Sequence, residues 1–250
     1  MKKDYIEPLE QDVIEVSPVA YFRSPFGSQF GIPRQSGIID ELEGTVVFVK
    51  DFRRVEALKG IEGFDRLWLI WGFSANSGKW KMTVRPPRLG GNESVGVFAS
   101  RSPFRPNGLG LSCVKFAGLD LEDKDGPLIK VRGADLMDGT PIYDIKPYVG
   151  YSDCFPDASS GFVDENEWNE ADVIFPPELQ SRFLGLAGLA ASDADTKHKA
   201  LEALRKVLSQ RPVPQYINNP DRVYGFPFMG CDIRFKVDAR VVTVVDITTC

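Results

Sequence analysis

Between Val13 and Lys146 the sequence is broken by proline, glycine or asparagine at a spacing of roughly 10–15 residues, and the segments between are short and β-branched or aromatic. This punctuation leaves no room for helices between strands, so a doubly wound nucleotide-binding sheet is excluded. The strands predicted are Val13–Ala20, Thr45–Lys50, Phe64–Phe73, Ser94–Ala99, Leu111–Phe116, Leu128–Arg132 and Ile142–Lys146. Phe64–Phe73 (FDRLWLIWGF) is apolar on both faces, as a central buried strand is. The class that follows is mainly β: an antiparallel barrel or sandwich.

From Pro176 the periodicity becomes helical. Pro176-Pro177 opens one helix, with Leu179, Phe183, Leu186, Ala187 and Ala190 at helical spacing, and a second spans Asp195–Ser209. Cys231–Val237 and Val241–Ile247 read as a hairpin. An acidic stretch from Asp153 to Asp172 separates the two patterns, which predicts a β domain over 12–155 and a small α+β C-terminal domain over 173–250.

Composition narrows the chemistry. The four cysteines (Cys113, Cys154, Cys231, Cys250) are widely spaced, and His198, the one histidine, falls on the polar side of the second helix. Neither pattern is that of a zinc site or a His-based triad, so metal-free chemistry is expected. No apolar run reaches the 18 or so residues of a membrane span, and no apolar stretch follows Lys2-Lys3 as in a secretory signal, so a cytoplasmic protein is expected. The net charge of −5 hides an uneven distribution. Residues 79–115 hold Lys79, Lys81, Arg85, Arg88, Arg101, Arg105 and Lys115 against Glu93 alone. Such a strip is either a solvated face or an electrostatic footprint for a polyanion.

Two glycine-rich stretches are not nucleotide sites. Gly72 to Gly78-Lys79 has one residue too many for a phosphate-binding loop, with Trp80 where a hydroxyl would hold magnesium. Gly108-Leu-Gly110 lacks the third glycine and the helix of a dinucleotide fingerprint. Three clusters put polar groups where a core strand would simply turn. Arg23 to Gly37 is long and irregular yet carries Phe26, Phe30 and Ile32, so it packs onto something. Arg101-Ser-Pro-Phe-Arg105-Pro-Asn107 presents two guanidinium groups from one stiff turn, suited to carboxylate or phosphate. In Asp135 to Tyr148, Asp144 and Lys146 share a face by the period of two. A purely structural reading of the last two is an Arg105–Asp144 ion pair that pins a turn.

The phrases SPFGSQFGIPRQSG, GIEGFDRLWLIW, VRPPRLGGN, GVFASRSPFRPNGLGLS and DLMDGTPIYDIKPYV closely resemble the TrmO-type (YaeB- or TsaA-like) tRNA adenine-N6-methyltransferases. The likeness runs from about Val13 to Ser152, and SQRPVPQY (Ser209–Tyr216) is a weaker continuation. The resemblance implies a β-barrel methyltransferase domain that uses S-adenosylmethionine, followed by a small C-terminal domain, in a homodimer acting on tRNA. The implied reaction methylates N6 of threonylcarbamoyl-adenosine at position 37, beside the anticodon.

Carried over position by position, the implied cofactor contacts are Ser36, Gly37 and Ile38, then Ser74 and Ala75, Arg101, Leu111, and Arg132, Gly133, Ala134 and Asp135. Two positions depart from the family: Ser36 stands where many members have proline, and Ser74 where many have histidine. The nearest titratable groups for catalysis are Asp138, Asp144 and Lys146, among which the sequence does not choose. Arg105, Lys79 and Lys81 are the candidates for binding the substrate. Two other readings stand beside this one: a non-catalytic barrel that binds adenosylmethionine or RNA, and an enzyme of another class using Asp138 and Asp144 as an acid–base pair.

Overall fold

The computed structural model describes residues 13–76, 79–90, 93–166, 169–213 and 219–250. Lys2-Lys3, residue 12, Gly78 of the glycine-bounded loop, Gly91-Asn92 of VRPPRLGGN and residues 214–216 of SQRPVPQY lie outside that range. The N-terminal part is built on β1 (Ala20–Arg23), β2 (Glu43–Phe48), β3 (Arg66–Gly72), β6 (Leu109–Asp120), β7 (Leu128–Arg132) and β8 (Pro141–Pro147). These pair antiparallel in the order β1-β2-β7-β6-β3-β8, and β8 pairs back onto β1 to close the ring. Closure removes the unpaired edges an open sheet would expose. A separate two-stranded ribbon, β4 (Thr83–Val84) with β5 (Val95–Gly96), stands off the ring.

Alternation along the strands fills the interior. Leu67, Leu69 and Trp71 of β3 point inward with Phe22, Val46, Val114, Ile129, Val131 and Ile142 from the other five strands, all at 9% exposure or less. Two bulges bend the ring. One lies in β6 between Phe116 and Gly118. The other leaves Tyr143 of β8 unpaired opposite Ile70 and Trp71, and its ring lies over Gly72, where a Cβ would come within 2.8 Å of it.

Two strands differ from those read in the sequence. Val13–Ala20 is not a strand: β1 begins where that segment ends, and Val13, Ile14 and Val16 are exposed. Their β-branched composition finds no neighbour to pair with, and Pro18 has no N–H to give a ladder. Of Ser94–Ala99 only Val95–Gly96 pairs, because Val97–Ala99 closes into a 3-10 turn. Ser100 drives that turn by donating both its N–H and its Oγ to the Val97 carbonyl.

After two single-turn helices, α1 (Gly150–Asp153) and α2 (Phe162–Glu165), the C-terminal part carries β9 (Asp172–Ile174), α3 (Pro177–Leu186), α4 (Ala194–Ser209), β10 (Tyr224–Phe228), β11 (Cys231–Asp238) and β12 (Val241–Thr249). The sheet order is β10-β11-β12-β9, the last pair parallel. Asp193 caps α4, accepting from the Thr196 N–H at 3.0 Å. Leu204, Val207 and Leu208 of α4 pack with Phe183 of α3 onto the sheet, and His198 is exposed. The mainly β reading with an α+β C-terminal part thus describes the molecule. Among the described residues no helix is long and apolar enough to cross a membrane.

The loop from Ser24 to Leu42 joins the two parts. Phe26, Ile39 and Leu42, which the sequence places with the barrel, are buried in the C-terminal core. Phe26 bridges Phe228 through its backbone and meets its ring edge-on at 5.3 Å. Phe30 and Ile32 pack against the same core, which answers where this apolar loop rests. Nearby, Lys206 Nζ of α4 donates to Glu41 Oε1 at 2.5 Å.

Candidate functional site

At one end of the ring the Ser24–Leu42 loop, the end of β3, the 100–105 turn, the start of β6 and the segment after β7 surround a cavity of about 540 Å³. Its back wall is aromatic: Trp71 and Phe73 meet edge-on at 4.4 Å. Gly110 makes room for this wall, since a Cβ there would come within 2.4 Å of the Trp71 ring. The lips are tied together. Asn76 donates to the Pro103 carbonyl at 3.0 Å and the Lys81 N–H to that of Phe104 at 3.1 Å. Across the cavity, Arg101 Nη1 donates to Gln35 Oε1, linking the 100–105 turn to the loop.

A polar relay runs from the core to this cavity. Trp71 Nε1 donates to Ser112 Oγ at 2.9 Å, and Ser112 Oγ donates to Asp135 Oδ1 at 2.6 Å. Ser112 occupies an inward position of β6 and is 1% exposed, so these bonds satisfy a hydroxyl that burial would otherwise penalise. Burial drives the Asp135 carboxyl above the usual carboxylate range, only partly offset by the Ser112 bond and the charge of Arg101. Among the described residues Asp135 is the one carboxylate lining the cavity.

The structure brings together part of the residue set drawn from the sequence. Ser74, Ala75, Arg101, Leu111 and Asp135 line the cavity, as does Arg105. Ser36, Gly37, Ile38, Arg132, Gly133 and Ala134 stand behind or beside it. Ser36 Oγ accepts from the Cys113 N–H at 3.1 Å, and the Gly37 N–H donates to the Gly133 carbonyl at 2.8 Å. Both glycines have positive φ, which lets the two segments lie back to back. Arg132 braces the loop, donating from Nε to the Asp40 carbonyl and from Nη2 to its carboxylate. Ala134 is buried in the barrel core, while Ile38 is exposed.

The candidates for acid–base work lie elsewhere. Asp138 accepts from the Ser24 N–H at 3.0 Å and from Arg23 Nη1 at 3.3 Å, so both its oxygens hold the start of the loop. Asp144 and Lys146 share a face as read, and pair with each other at 2.7 Å. None of the three lines the cavity. The Arg105–Asp144 pair does not form either: Arg105 Nη1 donates to the carbonyls of Val97 and Ser100, bracing its own turn. Lys79 and Lys81 are exposed, and Lys81 Nζ lies 4.3 Å from the centre of the Phe104 ring. Ser112, Trp71 and Gln35 escaped the sequence reading. The signal for Ser112 was a hydroxyl at an inward position, two residues from Val114.

Residues 21–154 match the tRNA-methyltransferase O N-terminal domain and residues 171–250 the TrmO C-terminal domain. The chain belongs to the TrmO family. It is 36% identical to a tRNA (adenine(37)-N6)-methyltransferase of Escherichia coli K12, over 88% of this chain and 91% of that protein. It is also 36% identical to a probable S-adenosyl-L-methionine-binding protein of Pyrococcus abyssi, over 60% of this chain and 76% of that one. A crystal structure of TrmO from Pseudomonas aeruginosa superposes with a TM-score of 0.72 at 30% identity, covering 94% of this chain and 99% of that one.

Proposed function

We propose that this chain transfers a methyl group from S-adenosylmethionine to N6 of adenosine 37 of tRNA, on adenosines that carry the threonylcarbamoyl group, and that it works in the cytoplasm as a homodimer. The observation that carries the reading is the convergence of Ser74, Ala75, Arg101, Leu111 and Asp135 on one cavity, in a chain that matches both domains of the family.

The residues present fit the cofactor. A cavity of about 540 Å³ falls within the range of roughly 300–1,000 Å³ common for small-molecule sites. An aromatic wall and a carboxylate suit a ligand that is cationic at its reacting end, and Gly110 keeps that wall clear of a side chain. When bound, S-adenosylmethionine supplies a methyl group already activated on a sulfonium sulfur.

The chain's own residues have three tasks. The Arg101–Gln35 bond holds the loop against the 100–105 turn and narrows the cavity, which orients a bound nucleoside and limits water. Asp135, held at Oδ1 by Ser112, offers its carboxylate as the acceptor for the proton that N6 loses. Its raised pKa suits a group that must take a proton and release it again. Lys79 and Lys81, exposed beside the cavity lip, are positioned for RNA phosphates. Trp80, Met82 and Phe98, 52%, 76% and 75% exposed around the ribbon, support a second copy covering that face.

The test is transfer of labelled methyl to tRNA that carries threonylcarbamoyl-adenosine, followed by digestion and mass analysis of the nucleosides. The expected product is the N6-methylated form of that nucleoside. Binding of adenosylmethionine with no transfer to any tRNA would overturn the reading in favour of a non-catalytic module.

A further inference from the structure

Most of the polar side chains around the cavity are committed to the protein itself. Arg101 holds Gln35, Arg105 braces the 100–105 turn through the Val97 and Ser100 carbonyls, and Ser112 holds Asp135. Ser100 Oγ donates to the Val97 carbonyl and Thr140 Oγ1 to that of Met137. Gln29 is different. It lines the cavity and is exposed, and its carboxamide makes no hydrogen bond among the described residues. None of the cofactor contacts carried over from the family falls on it.

The backbone around Gln29, by contrast, is held from both sides. The Met229 N–H donates to the Pro25 carbonyl and the Asp138 N–H to that of Phe26, each at 2.9 Å. Phe26 and Phe30 stand before and after Gln29 and both reach the C-terminal core, Phe30 meeting Phe226 edge-on at 6.3 Å. Gly31, at a φ of 97°, lies so close to Phe226 that a Cβ would come within 2.5 Å of the ring. Ser28 Oγ donates to the Phe30 carbonyl across the bend at 3.4 Å. A side chain with no structural partner, on a bend held this firmly, is preorganised for what enters the cavity.

A carboxamide has no net charge, so it adds nothing to the attraction for phosphates that every tRNA shares. Its NH2 offers two directional donors, which separate ligands that carry an acceptor from those that lack one. We propose that Gln29 is a specificity-determining residue: it donates to an oxygen of the threonylcarbamoyl group and so favours modified over unmodified adenosine 37. Two kinds of oxygen share that chemistry, the neutral carbamoyl or hydroxyl oxygen and the charged carboxylate. The proposal rests on the tRNA reading given above. It also gives the C-terminal sheet a task in recognition, because Phe226 and Met229 hold the bend that carries Gln29.

The experiment uses the full chain with Gln29→Ala and with Gln29→Glu, which keeps the shape of the side chain and loses its donors. Methyl transfer and binding are measured on tRNA that carries threonylcarbamoyl-adenosine, binding alone on the same tRNA without the group, and adenosylmethionine affinity by calorimetry. Gln29→Ala should weaken binding of modified tRNA by about three- to tenfold, the worth of one neutral hydrogen bond, and act on KM rather than kcat. Its affinity for unmodified tRNA and for adenosylmethionine should stay at the wild-type level. Measured as preference for modified over unmodified tRNA, Gln29→Glu matches the loss of Gln29→Ala if the acceptor is neutral. It exceeds that loss if the acceptor is the carboxylate, which the new charge repels. Wild-type preference in either variant overturns the proposal. So does an equal loss on both tRNAs by Gln29→Ala, which makes the residue a general RNA contact, or a fall in its cofactor affinity, which makes it part of the cavity's frame. A wild type that methylates no tRNA removes the tRNA reading and this proposal with it, whereas an active wild type matched by Gln29→Ala removes the proposal alone.

Discussion

Ser112 Oγ lies 2.6 Å from Asp135 Oδ1, and through this contact the barrel core holds the carboxylate of the cavity in place. The hydroxyl is fixed from behind by Trp71 Nε1, so the orientation of Asp135 depends on a residue with no access to solvent. Functional groups held by locked supporting residues are placed more accurately than groups on free loops.

Ser112→Ala should therefore cost about 1–3 kcal/mol, because it strands the buried indole N–H. Activity should fall further than binding of adenosylmethionine, since Asp135 loses its anchor. Thermal unfolding and a kcat against KM comparison check this. Full activity in a folded Ser112→Ala protein would remove the relay from the mechanism.

Asp135→Asn should lower methyl transfer by about 10²–10⁴-fold, the usual range for loss of a general base, with tRNA binding kept. The sign of its stability effect follows from the raised pKa. A carboxyl harder to ionise folded than unfolded destabilises the fold above the ordinary aspartate range, and that penalty vanishes as the pH falls below it. The amide cannot ionise, so the variant should match or exceed the wild-type melting temperature at neutral pH and lose that advantage in acid. Melting curves at several pH values decide it.

Glu41 works in the opposite direction. Burial pushes its carboxyl up, but the hydrogen bond and charge of Lys206 outweigh this and hold it below the usual glutamate range. A depressed carboxyl stabilises above its unfolded value, and the contribution is lost as the pH falls through the folded one. The joint between the barrel and α4 should therefore loosen in acid. The pair is partly exposed, which limits its worth to roughly 0.2–1 kcal/mol. A double-mutant cycle with Glu41→Gln and Lys206→Met, run at neutral and acid pH, should show a coupling that disappears in acid.

Phe26→Ala should cost about 3–5 kcal/mol, since it empties a fully buried aromatic site against Phe228. The expected consequence beyond stability is weaker adenosylmethionine binding, because Gln35 hangs on the same loop. Calorimetry well below the melting temperature separates the two effects, and unchanged cofactor affinity would show that the loop's anchor does not shape the cavity.

What was legible in the sequence was set by local pattern. The two-faced apolar run of β3 and the spacing of Leu204, Val207 and Leu208 in α4 need no distant partner to be read. The strands that were missed depend on neighbours far away. β9 is three residues long and exists because β12 lies beside it in parallel. β10 contains Pro227, which reads as a breaker but is tolerated on an edge strand. At the site, motif matching found Ser74, Ala75, Arg101, Leu111 and Asp135 on the cavity wall, but it missed Trp71 and Gln35 and did not assign tasks. Arg132, Arg105 and Asp138 are as polar as any ligand-binding group, yet their hydrogen bonds brace the loop and the turns, and only the fold shows which charge is committed to structure.

The burial of Phe26, Ile39 and Leu42 in the C-terminal core bears on how such chains can be recombined. A graft made at the acidic connector after Asp153 would seat one relative's C-terminal part against another's loop, with mismatched aromatic contacts at Phe228 and a new partner for Glu41. The unit that can be exchanged is discontinuous: residues 24–42 must travel with everything beyond the connector.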